Sequence, residues 1–201
     1  FKLIKKTGFP CTQTLMGLGA FPTSDEQFIG MLGMHGTYEA NMSMYNCDLM
    51  ICLGARFDDR ITGKVSGFSP KSKKIHFDID ASSFNKSVNV DLTVQGDLSK
   101  MLIQINQLIE EKKINFKKNL YKSWWNQINK WRSRNCLKYK NSKEIIKPQY
   151  ALQRLDHFTK KLNPFITTEV GQHQMWAAQF LTFNKPKHWM TSGGLGTMGY
   201  G

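Results

Sequence analysis

Four glycine-rich stretches are the first residues able to do chemistry. They are Met16-Gly17-Leu18-Gly19, the run from Gly30 to Gly36, Gly54-Ala55-Arg56, and the closing run from Gly193 to Gly201. A glycine-rich turn at a helix start offers bare backbone N–H groups and the positive end of the helix dipole, which suits a phosphate. Each stretch alone is a weak signal, because glycine also serves turns and close packing. Together they suggest a large phosphate-bearing cofactor. Arg56 and Arg60 are two of only five arginines. A guanidinium there can clamp a pyrophosphate or carboxylate bidentately; the competing reading is a surface ion pair with Asp58 or Asp59. Asp78 and Asp80 can accept from ribose hydroxyls, as acidic residues do in dinucleotide folds, or mark an exposed strand end. His35 lies among glycines, where a ligand can approach the backbone, and His173 follows the Gly171 turn. His76 alternates within a strand-like run and reads as structural. No Ser-His-Asp order, HExxH motif or paired-carboxylate pattern is present, and no residue is assigned to a metal.

These residues must be held by strands and helices. Asp48–Ala55 (DLMICLGA) predicts a buried parallel strand ending in a ligand-facing turn. Lys74–Ile79 and Val88–Val94 predict two more, and Thr37–Cys47 a helix between loop and strand. Alternating strand and helix implies an α/β fold with a parallel sheet, whose ligands bind at the carboxyl ends of strands. Asp97 is a plausible N-cap for a helix striped by Leu98, Met101, Leu102, Ile105, Leu108 and Ile109. Leu120, Trp124, Ile128 and Trp131 form a second stripe, read as core packing and not as a base-stacking platform. Residues 135–147 read as a linker, and Pro148 opens a third helix with Tyr150, Leu155 and Phe158 as packing positions. Phe165–Val170 and His188–Thr191 predict strands flanking a helix over Gln172–Phe180. The organisation is therefore residues 1–97, a partial α/β domain; 98–163, a helical connector and linker; and 164–201, the start of a second α/β domain. The abrupt ends suggest an internal fragment.

Composition removes several classes. Hydrophobic residues make up 40% and aromatics 12% of 201 residues, enough for a core and against disorder. No apolar run is long enough for a membrane span. The formal charge of +13 suggests nucleic acid, but 23 of the 28 basic residues are scattered lysines, so nucleic-acid binding is set aside. Cys11, Cys47, Cys52 and Cys136 have no CxxC or zinc spacing, and read as reduced thiols.

The stretches LMGLGAFP (15–22), MLGMHGTYEAN (31–41) and GARFDDR (54–60), followed by VGQHQMWAA (170–178) and SGGLGTMGYG (192–201), resemble the catalytic large subunit of the acetolactate synthase family. The resemblance runs over nearly the whole chain, weakest over 100–147; Cys11 and Gln13 stand where smaller residues are usual. It implies a Rossmann-like central domain joined by a helical connector to the start of a thiamine-diphosphate domain. It implies that pyruvate is decarboxylated on thiamine diphosphate, and that the two-carbon unit joins a second pyruvate or 2-oxobutyrate, toward valine, leucine and isoleucine. FAD contacts would fall on Leu15 and Met16; on Leu32, Gly33, Met34, His35 and Gly36; on Gly54, Ala55, Arg56 and Asp58; and on Asp78, Ile79 and Asp97. Arg60 would face the active site and help select the second substrate. Gln172 and His173 would contact the diphosphate, the Gly196 carbonyl would accept from the aminopyrimidine, and Met198 would hold the cofactor bent. The activating Glu and the Mg²⁺ ligands would lie outside residues 1–201, so this stretch alone would be inactive. The resemblance further implies a homodimer, a small regulatory subunit, and a bacterial cytoplasmic or plastid location. Pyruvate oxidase, glyoxylate carboligase and oxalyl-CoA decarboxylase share the architecture; a nucleotide-binding module without chemistry is the other alternative.

Overall fold

The computed structural model describes residues 1–201 apart from the side chain of Lys118. The first stretch runs α1 (Lys2–Thr7), β1 (Cys11–Gln13), β2 (Phe28–Met31), α2 (Tyr38–Asn46), β3 (Leu49–Leu53), the one-turn α3 (Asp59–Thr62), β4 (Lys73–Asp78) and β5 (Leu92–Gln95). Helices α4 (Leu98–Glu111), α5 (Lys122–Arg132) and α6 (Pro148–Thr159) follow, then β6 (Ile166–Thr168), α7 (Gln172–Phe180) and β7 (Trp189–Thr191). Every strand pairing is parallel: β1 with β2, β3-β4-β5 in that order, and β6 with β7. Parallel neighbours need crossover connections, so the strands share one set of carboxyl ends within each sheet. The α/β, Rossmann-like expectation holds. Among the described residues, no helix is long and apolar enough to cross a membrane.

Local sequence explains the helix starts. Thr37 Oγ1 caps α2 by accepting from Ala40 N, and also donates to the Ile29 carbonyl at 2.9 Å. Asp97 caps α4 through Lys100 N at 3.0 Å, and Pro148 sits in the first turn of α6. These satisfy or avoid the orphan amides of a helix's first turn.

Three clusters of buried side chains hold the chain together. Ile29 and Ala40 meet Ile128 and Trp131, so the connector helix α5 packs on α2 and β2. Phe57, Phe68 and Val88 cover one face of β3-β4-β5. Leu18 and Met31 join Ala177, Ala178, Leu181, Phe183 and Trp189 in one cluster. That last cluster unites the first and third stretches of sequence in a common core.

Several expectations need correction. Strand β3 is not buried: it lies at a sheet edge with Leu49 and Ile51 exposed, because no other strand of these residues pairs with its outer side. The Val88–Val94 strand shortens to Leu92–Gln95, since Val88 is drawn into the loop core over the sheet. The strand expected at Phe165–Val170 covers only Ile166–Thr168, the length of its partner β7. Leu120 is exposed and outside α5, while Trp124, Ile128 and Trp131 pack as expected. On α6 the packing positions are wrong. Tyr150, Leu155 and Phe158 are exposed; Leu152 meets the core and Asp156 accepts from Thr182 N at 2.7 Å. Apolar spacing alone cannot choose between two faces of a helix when both carry large side chains.

Candidate functional site

The glycine-rich loops all lie just past strand ends, where an α/β sheet places ligands. After β1 come Leu15 and Met16; after β2, Leu32 to Gly36; after β3, Gly54 to Arg56. Asp78 and Ile79 end β4, and Asp97 follows β5. The last three loops converge. Gly54 N donates to Phe77 O, Gly96 N to Asp78 O, and the Leu98 side chain lies against Gly54. Gly33 sits on the backbone of Arg60 and Ile61, and Met34 N donates to Arg60 O at 2.8 Å.

The Gly33–Gly36 turn is not an open phosphate nest. Gly33 N donates to Asn41 Oδ1, Met34 N to Arg60 O, and Gly36 N to Gly33 O. Three of its four amides are already engaged, so the turn offers a ligand shape and apolar surface more than a nest of bare donors. Asn41 returns a second bond from Nδ2 to Gly33 O at 2.9 Å. Gln13 clasps Phe21 likewise, donating to its carbonyl at 2.8 Å and accepting from its amide. Both clasps went unnoticed in the sequence; an amide side chain near a glycine-rich turn is the signal that could have flagged them. Exposed Met16, Met34 and Ile79 crown these loops. Large apolar side chains left in water at strand ends fit a flat, partly apolar ligand.

The charged candidates divide. Arg56 pairs with Asp58 at 2.9 Å on the surface, the alternative weighed above. Arg60 is exposed and bonds no carboxylate among the described residues; it lines a cleft of about 440 Å³ with Met34, Asn41, Tyr45 and Phe68. Asp78 is not an exposed strand end: it is buried, accepts from Asp80 N at 2.9 Å, and faces His76 Nε2 at 3.6 Å. Asp80 instead caps the next turn through Ser82 N. His76 is fully buried between the edges of Phe57 and Phe84, as a structural residue should be. Burial pushes the Cys11 and Cys52 thiols up to about 11 and raises Cys47, so none of these is a ready nucleophile.

At the other end of the chain, Gly171 stands as the N-cap of α7, with a φ of 150° that favours glycine. The N–H groups of Gln172 and His173 have no protein acceptor among the described residues. The closing loop lies beside them. Glu169 accepts from Gly199 N, Ser192 Oγ accepts from Thr197 N at 2.9 Å, and Gly196 (φ 68°) adjoins Val170. Leu195 and Met198 point into solvent, 97% and 65% exposed. Free helix amides beside projecting apolar side chains suit a ligand with a diphosphate and an aromatic ring. Met16 touches Gly193, so the first and last loops meet.

Comparison with known proteins agrees with this geometry. Residues 1–105 match the thiamine pyrophosphate enzyme central domain, and residues 169–201 the C-terminal TPP binding domain. The chain is 44% identical over 198 residues to the acetolactate synthase isozyme 3 large subunit of Escherichia coli (strain K12), covering 98% of this chain and 34% of that protein. It is 45% identical over 197 residues to the acetolactate synthase large subunit of Buchnera aphidicola subsp. Schizaphis graminum, covering 98% and 34%. It is 42% identical over 200 residues to the chloroplastic acetolactate synthase 1 of Nicotiana tabacum, covering 100% and 30%. The chain thus spans about a third of the length of the curated relatives it matches. With one family domain covering over half of its residues and a second its end, the chain belongs to the thiamine pyrophosphate enzyme family.

Proposed function

We propose that these residues serve an acetolactate synthase, joining two pyruvates, or pyruvate and 2-oxobutyrate, with loss of CO₂. The observation that carries the reading is the 44% identity running through 98% of the chain, across both family domains and the connector between them. The proposed division remains 1–97, 98–163 and 164–201. Thiamine diphosphate, when bound, supplies the electron sink for decarboxylation and carbon–carbon bond formation. The chain's part is to bind, orient and exclude water. The Gln172 and His173 amides hold the diphosphate, Gly196 offers its carbonyl to an amine, and Met198 supplies an apolar prop. Arg60 holds a carboxylate of the second 2-oxo acid.

FAD belongs to the same proposal. Its supports are the exposed Met16, Met34 and Ile79 at adjoining strand ends and the converging turns at Gly54, Asp78 and Asp97. Leu15, Leu32, Gly33, His35, Gly36, Ala55, Arg56 and Asp58 complete the contact set. Mg²⁺ is included without a ligand among residues 1–201. A homodimer, a regulatory small subunit, and a bacterial cytoplasmic or plastid setting complete the reading, in keeping with relatives named from bacteria and chloroplasts. The test is product analysis of the full-length gene product with pyruvate, thiamine diphosphate, Mg²⁺ and FAD. Acetolactate supports the proposal; acetyl phosphate, tartronate semialdehyde or no turnover overturns it.

A further inference from the structure

We infer that α7 is a strut linking the two proposed cofactor sites, and that Gln179 is the positioning residue carrying the link. The inference rests on the flavin and thiamine reading above. Helix α7 has nine residues, about 14 Å at the usual rise. Its first turn carries the free amides of Gln172 and His173. Its last turn carries Gln179, whose Nε2 donates to the His35 carbonyl at 2.9 Å. Among the described residues, this is the only side-chain hydrogen bond from the C-terminal stretch to the Gly33–Gly36 turn.

The strut is anchored along its length. Gln174 Nε2 donates to Thr191 Oγ1 at 2.6 Å, and Thr191 bonds Thr168 across β6 and β7 at 2.9 Å. Ala177 and Ala178 are buried with Leu18 and Met31, which flank the two flavin-side loops. A close-packed contact of this kind transmits displacement, because it has no slack to absorb it. A second contact runs in parallel. A Cβ at Gly193 would overlap Met16, so the thiamine-side loop passes directly against Met16 and Leu15.

The consequence is thermodynamic. A ligand that orders Leu32 to Gly36 also fixes the His35 carbonyl, and with it the C-terminal end of α7. A ligand held by the amides of Gln172 and His173 fixes the other end. Whichever binds first lowers the ordering needed by the second. The two affinities must then change by the same factor in either order.

The experiment uses the full-length gene product, unsubstituted and as Gln179→Met and Gln179→Lys. Methionine keeps the shape and loses the donor; lysine keeps a donor. Flavin fluorescence gives the FAD dissociation constant with and without saturating thiamine diphosphate and Mg²⁺. Tryptophan quenching gives the converse, and amide exchange reads the Gly33–Gly36 turn. A net hydrogen bond implies mutual tightening of about two- to tenfold. In Q179M that ratio falls toward one, the packing of Ala177 and Ala178 and the Gly193–Met16 contact leaving a remainder, and thiamine diphosphate protects the turn less; in Q179K both persist. An unchanged ratio in Q179M overturns the inference alone. Loss of linkage in both variants with a lowered melting temperature marks a packing role, and also overturns it. Absence of FAD binding by the unsubstituted protein overturns the flavin reading itself.

Discussion

Replacing Gly33 by alanine should be far more damaging than a single methyl suggests. Gly33 has φ 94°, where an L-residue is disfavoured by about 1–2 kcal/mol. A Cβ there would stand 2.6 Å from Arg60 O and 3.1 Å from Ile61 Cα, both backbone atoms. Backbone cannot swing aside as a side-chain end can, so the turn must shift at about 1–3 kcal/mol. The shift strains the paired Asn41–Gly33 hydrogen bonds and the bond from Met34 N to Arg60 O. Together the loss is about 2–5 kcal/mol. Two controls separate the causes. Gly63→Ala keeps a positive-φ backbone strain, at φ 56° and ψ −127°, but meets open space, so about 1–3 kcal/mol from the backbone alone is expected. Gly67 has neither a positive φ nor a neighbour within 4 Å; alanine there should be neutral or stabilise by up to about 1 kcal/mol. Urea unfolding followed by tryptophan fluorescence, with midpoints compared at constant slope, reads all three. If Gly33→Ala is no worse than Gly63→Ala, the close approach of the two loops is refuted.

Ile128→Ala should cost about 2–5 kcal/mol, because Ile128 is fully buried between α5, α2 and β2; the same urea assay, with near-ultraviolet dichroism of the Trp124–Trp131 pair, checks it. Asp97→Ala should cost about 1 kcal/mol by uncapping α4, read by the same assay and by faster amide exchange at Lys100. Glu110 is held down to about 2 from 4.5 by hydrogen bonds from Lys6 and Lys2. Since the folded value is the lower, its contribution is complete above pH 4.5 and is lost as pH falls toward 2. Glu110→Gln should therefore loosen α1 from α4 at neutral pH, with the difference narrowing between pH 4.5 and 2; a pH-independent difference in melting temperature would contradict this. A thiol reagent at pH 8 should modify exposed Cys136 first in the folded chain, with Cys11 and Cys52 reacting only on unfolding, as mass spectrometry can follow.

Much was legible locally. The span of α7 follows from Gly171 and the apolar spacing after it, and α2 and α4 begin where Thr37 and Asp97 can cap them. The loops at Gly54 and Gly193 were placed at strand ends by pattern alone, because an apolar run closed by glycine has few other uses in a parallel sheet; β1 and β2, only three and four residues long, carried no such run and were not predicted. What failed depended on partners distant in sequence. Asp78 turns inward because His76 and the Asp80 amide receive it, and α6 faces the core through Leu152 because Asp156 meets Thr182.

The sequence by itself determined the family, the order of strands and longer helices from α2 onward, and the glycines that allow close approach, since these rest on residue type and short spacing. Only the tertiary structure decided which loop amides are spent, which arginine is paired, and that α7 reaches from one proposed site to the other. Gln179 and His35 lie 144 residues apart. No local rule links them, because their contact exists only once Leu18 and Met31 share a core with Ala177 and Ala178.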